Sequence, residues 1–395
     1  MDNLCTLHQN KDEFLAVIRE TAKSYGIGES MIEKDYWVTW CINYLYSHPM
    51  WEGHLGFKGG TCMAKVHDAI ERFSEDVDVL LDWRLLGYGK DEPLLPTTKN
   101  KQDDMKKDMN KRTYSYLKDT MLPVLQEDVH KLLGAEFSVD FVDERGIASL
   151  MFRYPHLFGE GASALLDGVK LEISPMSQWA QLSYKPIVSM MDNLFDGVEV
   201  FPPINVLSVS VERTFWDKIS ILQNISHSRD GGADKPLAPR QSRHYFDVYC
   251  ILTGGYEKEC VEQSQLLFDT IEFSQRFYPV KSYAPTEVEL SNLQLSIPDS
   301  LLPEITADYE RMKDMLFGDK PSFEEIYSTV LKFQDNINEY GRSGIYQISV
   351  NLADNVSNCY ERSALLEQSK AHGDKNKAEI DSARAKDADG LLKHP

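Results

Sequence analysis

The spacing of apolar and polar positions predicts a mixed α/β chain that turns helical toward its C-terminus. Residues 11–47 have helical spacing in two pieces, interrupted at "YGIGES". Ser30, with Glu33 three residues on, predicts a capping box for the second piece, and "MIEKDYWVTWCINYLY" then carries a broad apolar face. "HLGFKGG" predicts a short strand ending on glycines. Met63, Val66, His67 and Ile70 give residues 61–70 a helical period, and residues 77–81 alternate as the next strand. Gly, Pro and Thr mark 82–100 as a loop, and 99–118 predicts a polar helix. Strands are predicted in "AEFSVDFV", "IASLMFRY" and "GVKLEIS", and helices in "VLSVSVERTFWDKISILQNI" and "RQSRHYFDVYCILT". Residues 305–340 read as a helical hairpin in which Gly318 stops the first helix and Ser322 with Glu325 caps the second. These elements divide into N-terminal helices (1–50), an α/β core (51–205), a helical C-terminal domain (206–345) and a polar tail (346–395).

Composition narrows the function classes. The 395 residues are 42% hydrophobic and 26% charged, which suits a globular chain of two or three structural units. The acidic, amphipathic start predicts no signal peptide, and no apolar run is long enough for a transmembrane helix. Six cysteines without metal-like spacing read as buried thiols of a reducing compartment, so a cytoplasmic location is expected. A net charge of −20 argues against indiscriminate coating of nucleic acid but leaves room for one basic groove.

Against that acidic background, "RFSEDVDVLL" sets Asp76 and Asp78 on the face of a strand opposite Val77 and Val79. Two carboxylates about 7 Å apart on one strand face repel unless water or a cation lies between them. Hard oxygen ligands so placed suit Mg²⁺, which takes one or two carboxylates and completes its shell with water and phosphate. The glycine turn Gly59-Gly60-Thr61 entering a helix offers backbone N–H groups to phosphate nearby. Glu172, central in the apolar strand "VKLEIS", is a candidate third metal ligand; pairing with Lys170 or facing water is the alternative.

These stretches resemble the first motif of the nucleotidyltransferase AbiEii/AbiGii toxin family within the DNA polymerase β-like superfamily. Further similarities run in order through "IEKDYWVT", "VKLEIS", "VERTFWDKISIL", "RHYFDVYCIL" and "DYERMKDMLFGDKPSFEEI", spanning roughly residues 30–340. The chain departs from the family pattern in three places. Thr61 replaces the commoner serine, fourteen residues separate it from Asp76, and Glu172 stands for an aspartate.

The resemblance implies a polymerase β-like core with a mixed sheet, and transfer of a nucleoside monophosphate from an NTP with Mg²⁺ or Mn²⁺. It implies an RNA acceptor, tRNA in particular, a cognate antitoxin, and a role in toxin–antitoxin or abortive-infection phage defence. By it, Lys218 in "FWDKIS" meets the triphosphate and Asp247 in "RHYFDVY" orients the acceptor hydroxyl or takes its proton. Residue spacing alone leaves Lys218 beside the buried stripe of Phe215, Ile219 and Leu222, and leaves Asp247 open to a salt bridge with Arg213 or Arg243. Arg229, Lys235, Arg240 and Arg243, in and beside a Gly/Pro loop, are candidate acceptor-binding residues, and the basic helix 99–118 extends that surface; His244 reads as structural. A nucleotide-binding regulator without catalysis, or a transferase acting on a small-molecule or protein hydroxyl, are the rival readings.

Overall fold

The structure, a computed structural model, describes residues 4–346 apart from 91, 96, 145–146, 159–166, 176–181, 193–199, 228–237, 278–287 and 319. The expected tail therefore lies outside the described residues, except Tyr346.

Helices α1 (Lys11–Tyr25) and α2 (Glu29–Ser47) lead into the sheet. Asn10 caps α1, and Gly26 ends it in the left-handed conformation. The expected Ser30 box does not form, because α2 starts two residues earlier than that cap requires, after Gly28. Glu33 is instead buried and accepts the backbone N–H of Leu157 at 2.8 Å. Its neighbours Lys34 and Asp35 are buried too. Lys34 donates to the carbonyl of Gly168 and lies 3.8 Å from Glu75, while Asp35 binds Lys65 at 2.6 Å. Three successive charges on one buried helix thus tie three separate segments to it, which the cost of leaving any of them unpaired requires.

Strand β1 (Leu55–Lys58), helix α3 (Gly59–Lys65) and strand β2 (Val77–Leu81) form the glycine turn and its acidic partner. Helix α3 is shorter than the periodicity of 61–70 predicts. Next come α4 (Lys99–Ser115), a π-helical turn, and α5 (Leu122–Leu133). Strands β3 (Ser138–Glu144), β4 (Ile147–Arg153), β5 (Val169–Ser174), β6 (Leu182–Pro186) and β7 (Asn205–Val209) complete a sheet of order β3-β4-β5-β2-β1-β7-β6. The sheet is mixed, since β2 pairs with β5 and β1 with β7 in parallel while the other pairs are antiparallel. Its register sets Lys58, Asp78 and Glu172 side by side on one face. The opposite face, with Phe57, Val77, Val79, Leu171 and Ile173, packs into the core built on α2.

The helical run expected to begin at Val206 instead opens as strand β7. Ser210 then caps α6 (Val211–Ser226) by accepting the N–H of Arg213. A second core joins α6 to α7 (Ser242–Thr253), α8 (Glu257–Glu262), α9 (Gln265–Phe277), α10 (Leu302–Met312) and α11 (Phe323–Ser343). Met63, Ala69 and Ile70 pack into this second core, so the link between β1 and β2 is shared by both units. Ser322 caps α11 as expected, but Glu325 bonds Tyr249 rather than closing a box. The five described cysteines are buried thiols, and no helix among the described residues is long and apolar enough to cross a membrane.

Candidate active site

A cleft of about 380 Å³ opens where the acidic face of the sheet meets α6 and α7. Its floor comes from the β1–α3 turn. Gly59 has φ of +79°, and any side chain there would collide with the Asp78 carboxylate. At Gly60 a Cβ would lie 2.8 Å from Arg72 Nη2. Both glycines are demanded by close approach, one to an acid and one to a base. Thr61 does not line the cleft. Its buried hydroxyl donates to the carbonyl of Asp76 and lies 2.9 Å from Ser74 Oγ, so it shapes the acidic turn from behind.

Asp76 and Asp78 form the acidic wall with Glu172. Asp76 Oδ1 is buried without a hydrogen-bond partner. Burial first, then repulsion from Glu75, Glu172 and Asp78, pushes the Asp76 carboxyl up to about 6. Asp78 is less constrained, with Lys58 Nζ 3.7 Å from its Oδ1. Glu172 is bound by Lys170 at 2.8 Å and its side chain is 46% exposed, which is the alternative its sequence left open. Among the described residues no three acidic, histidine or cysteine side chains converge as a preformed metal cage. An orphaned buried carboxylate oxygen beside a second carboxylate nonetheless fits one hard cation that takes its other ligands from water and phosphate.

Cations line the same cleft. Arg72 is buried and grips Asp247 through two hydrogen bonds, Nε–Oδ1 at 2.7 Å and Nη2–Oδ2 at 2.9 Å. Lys218 Nζ lies 2.5 Å from the same Oδ2. Burial alone would raise the Asp247 carboxyl, but Arg72 and Lys218 outweigh it and hold the group far below the ordinary carboxylate range. Asp247 thus differs from its expected role. It is sealed behind the cleft with partners Arg72 and Lys218, not Arg213 or Arg243, and so firmly ionised a carboxylate is a poor proton acceptor. It positions the two cations. Lys218 itself faces the cleft, where burial and then the charges of Arg72 and Arg243 lower its pKa against the pull of Asp247.

The four basic residues expected to bind an acceptor separate. Arg229 and Lys235 lie outside the described residues. Arg240 does not line the cleft; it adopts φ of +65°, donates its N–H to Asp308 at 2.9 Å and reaches Glu75 at 3.0 Å. Of the two that are described, Arg243 lines the cleft, together with Lys218. Leu80, Val209, Thr214 and Ile221 add less polar lining.

Gly59, Gly60, Asp76, Asp78, Glu172, Lys218 and Arg243 are therefore brought together, while Thr61 and Asp247 stand behind them. The reading of the sequence missed Arg72 altogether. Its signal was a lone arginine four residues before Asp76, but only the fold brings Asp247, 175 positions away, against it.

The sequence matches the family described as nucleotidyl transferase AbiEii toxin, type IV TA system, over residues 43–329. No curated protein matches it. Among solved structures, MenT4, a nucleotidyltransferase toxin from Mycobacterium tuberculosis H37Rv, is similar at 12% identity and a TM-score of 0.39. The similarity covers 82% of this chain and 99% of that one.

Proposed function

The chain belongs to the AbiEii family of nucleotidyltransferase toxins of type IV toxin–antitoxin systems, and from that premise we propose that it transfers a nucleoside monophosphate from an NTP to an RNA acceptor, with tRNA 3′ ends the first substrates to try. The observation that carries the reading is the pairing, across one cleft, of an orphaned Asp76 carboxylate with the cations Arg72, Lys218 and Arg243. An NTP bound with a divalent cation needs both walls at once. Asp76 and Asp78 would hold Mg²⁺ or Mn²⁺; when bound, such an ion neutralises phosphate charge and lowers the pKa of an attacking hydroxyl. Glu172 would join only after leaving Lys170.

Lys218 and Arg243 bind phosphate oxygens, Lys218 as a compact charge and Arg243 as a planar fork. Gly60, in the first turn of α3, lets the polyphosphate come close to the backbone. Arg72 and Asp247 keep Lys218 at its station. Family membership implies a cognate antitoxin, and we propose growth arrest or phage defence as the outcome of the activity.

A second reading, transfer to a small-molecule or protein hydroxyl, is favoured by the net charge of −20 and by the engagement of Arg240 with Glu75, which removes one expected RNA contact. One experiment separates the readings. The protein is incubated with total RNA, Mg²⁺ and each α-labelled NTP in turn, and the labelled species are identified. Label in an RNA band supports the first reading; label only in small molecules or protein replaces it with the second. No label and no pyrophosphate release from any mixture would sink both.

A further inference from the structure

His244 stands in the first turn of α7, and its ring lines the cleft together with Arg72, Lys218 and Arg243. Neither ring nitrogen has a hydrogen-bond partner among the described residues, and Nδ1 is sealed from solvent. No group among the described residues claims the ring, which stands uncommitted in the lining of the cleft. With Nδ1 out of reach, Nε2 is the nitrogen a ligand can meet.

The charges facing the ring are Lys218 on α6, Arg72 on the link between α3 and β2, and Arg243 and Asp247 on α7 itself. Burial first, then Lys218 and Arg243, holds the imidazole well below its usual range, with Asp247 opposing. Burial, and then the surplus of neighbouring cations over the one carboxylate, disfavours the imidazolium in the empty cleft. A triphosphate reverses that balance, since its oxygens bring several negative charges to the same wall.

We propose that His244 is a further polyphosphate-contacting residue whose ring takes up a proton from solution when a triphosphate fills the cleft. The proposal rests on the nucleotidyltransferase reading of the cleft. No covalent bond changes in this step; the proton leaves buffer or water and settles on the imidazole, which then donates through Nε2–H to a phosphate oxygen. The linkage requires affinity to rise as pH falls toward the pKa of the ring in the complex.

The test uses the full chain and two probes, Mg²⁺–tripolyphosphate and each Mg²⁺–NTP, without acceptor. Calorimetric titration at one pH in two buffers of different protonation enthalpy reads proton uptake directly. The wild type should take up a substantial fraction of a proton more than His244→Gln. The variant should bind roughly three- to tenfold more weakly at pH 6, with the gap narrowing toward pH 8. Nitrogen-15 spectra of histidine-labelled wild type need no variant, and the His244 ring should move from neutral to imidazolium shifts as tripolyphosphate is added. Equal proton uptake by both proteins, or a ring that stays neutral in the complex, overturns the proposal. Failure of both probes to bind overturns it together with the nucleotide reading. His244-linked binding without labelling of any acceptor leaves the proposal standing and rejects the transferase reading alone.

Discussion

Asp76 sits in surroundings that work against its own charge. Its carboxyl sits at about 6, above the ordinary 3.8, so the folded state holds the proton more tightly than the unfolded chain. The resulting contribution to stability is complete below pH 4 and gone once pH has risen past 6. That difference amounts to about 3 kcal/mol. Asp76→Asn should therefore raise the melting temperature of the metal-free protein at pH 7.5 and flatten its change between pH 4 and 6. It should also slow transfer about a thousandfold; a variant that melts lower than wild type at pH 7.5 contradicts this account. Lys218 and Asp247 differ in another way. Lys218→Ala leaves Asp247 with both Arg72 bonds, so the fold should survive while NTP affinity drops about 10- to 100-fold. Asp247→Asn strands two buried cations and should cost about 3–5 kcal/mol, measured by urea unfolding. If Asp247→Asn keeps wild-type stability and loses only turnover, a direct role in proton transfer has to be restored.

At the scale of elements, the β1–α3–β2 unit is where local sequence and site geometry agree most closely. Alternation fixes which face of β2 carries Asp78, and the glycines are forced by what passes over them. Gly59→Ala should destabilise by about 1–2 kcal/mol from its left-handed backbone alone and lose activity besides, because the new methyl displaces Asp78. Gly318 shares the left-handed conformation (φ of +58°) but faces open space, so Gly318→Ala should show the smaller stability loss with turnover intact. Comparing thermal melts and labelling rates for the two separates backbone strain from displacement of the acid. The residues 206–209 were harder to read because "VLSVS" suits a strand by alternation and a helix start by its neighbours; pairing with β1 and β6 decided it.

The whole molecule is clasped across its two cores by Arg240. It joins Glu75, next to the acidic strand, to Asp308 in the helical unit, while the N–H and hydroxyl of Ser242 also bond Asp308. Arg240→Gln should lower stability by about 1–3 kcal/mol with NTP binding nearly unchanged, whereas Arg243→Gln should keep the fold and weaken NTP binding about 10- to 100-fold. Paired melts and nucleotide titrations check the split, and equal effects of the two variants on nucleotide affinity would refute it. The sequence by itself determined the family, the mixed α/β order, the acidic strand and the glycine turn, because those depend on neighbours a few residues apart and on periods of 2 and 3.6. It could not determine which charges meet. Arg72 with Asp247, Glu33 with the N–H of Leu157, and Arg240 with Glu75 are separated by 124 to 175 positions. Burial forces each of these charges to find a partner, but only the closing of two cores around one cleft decides which partner is within reach.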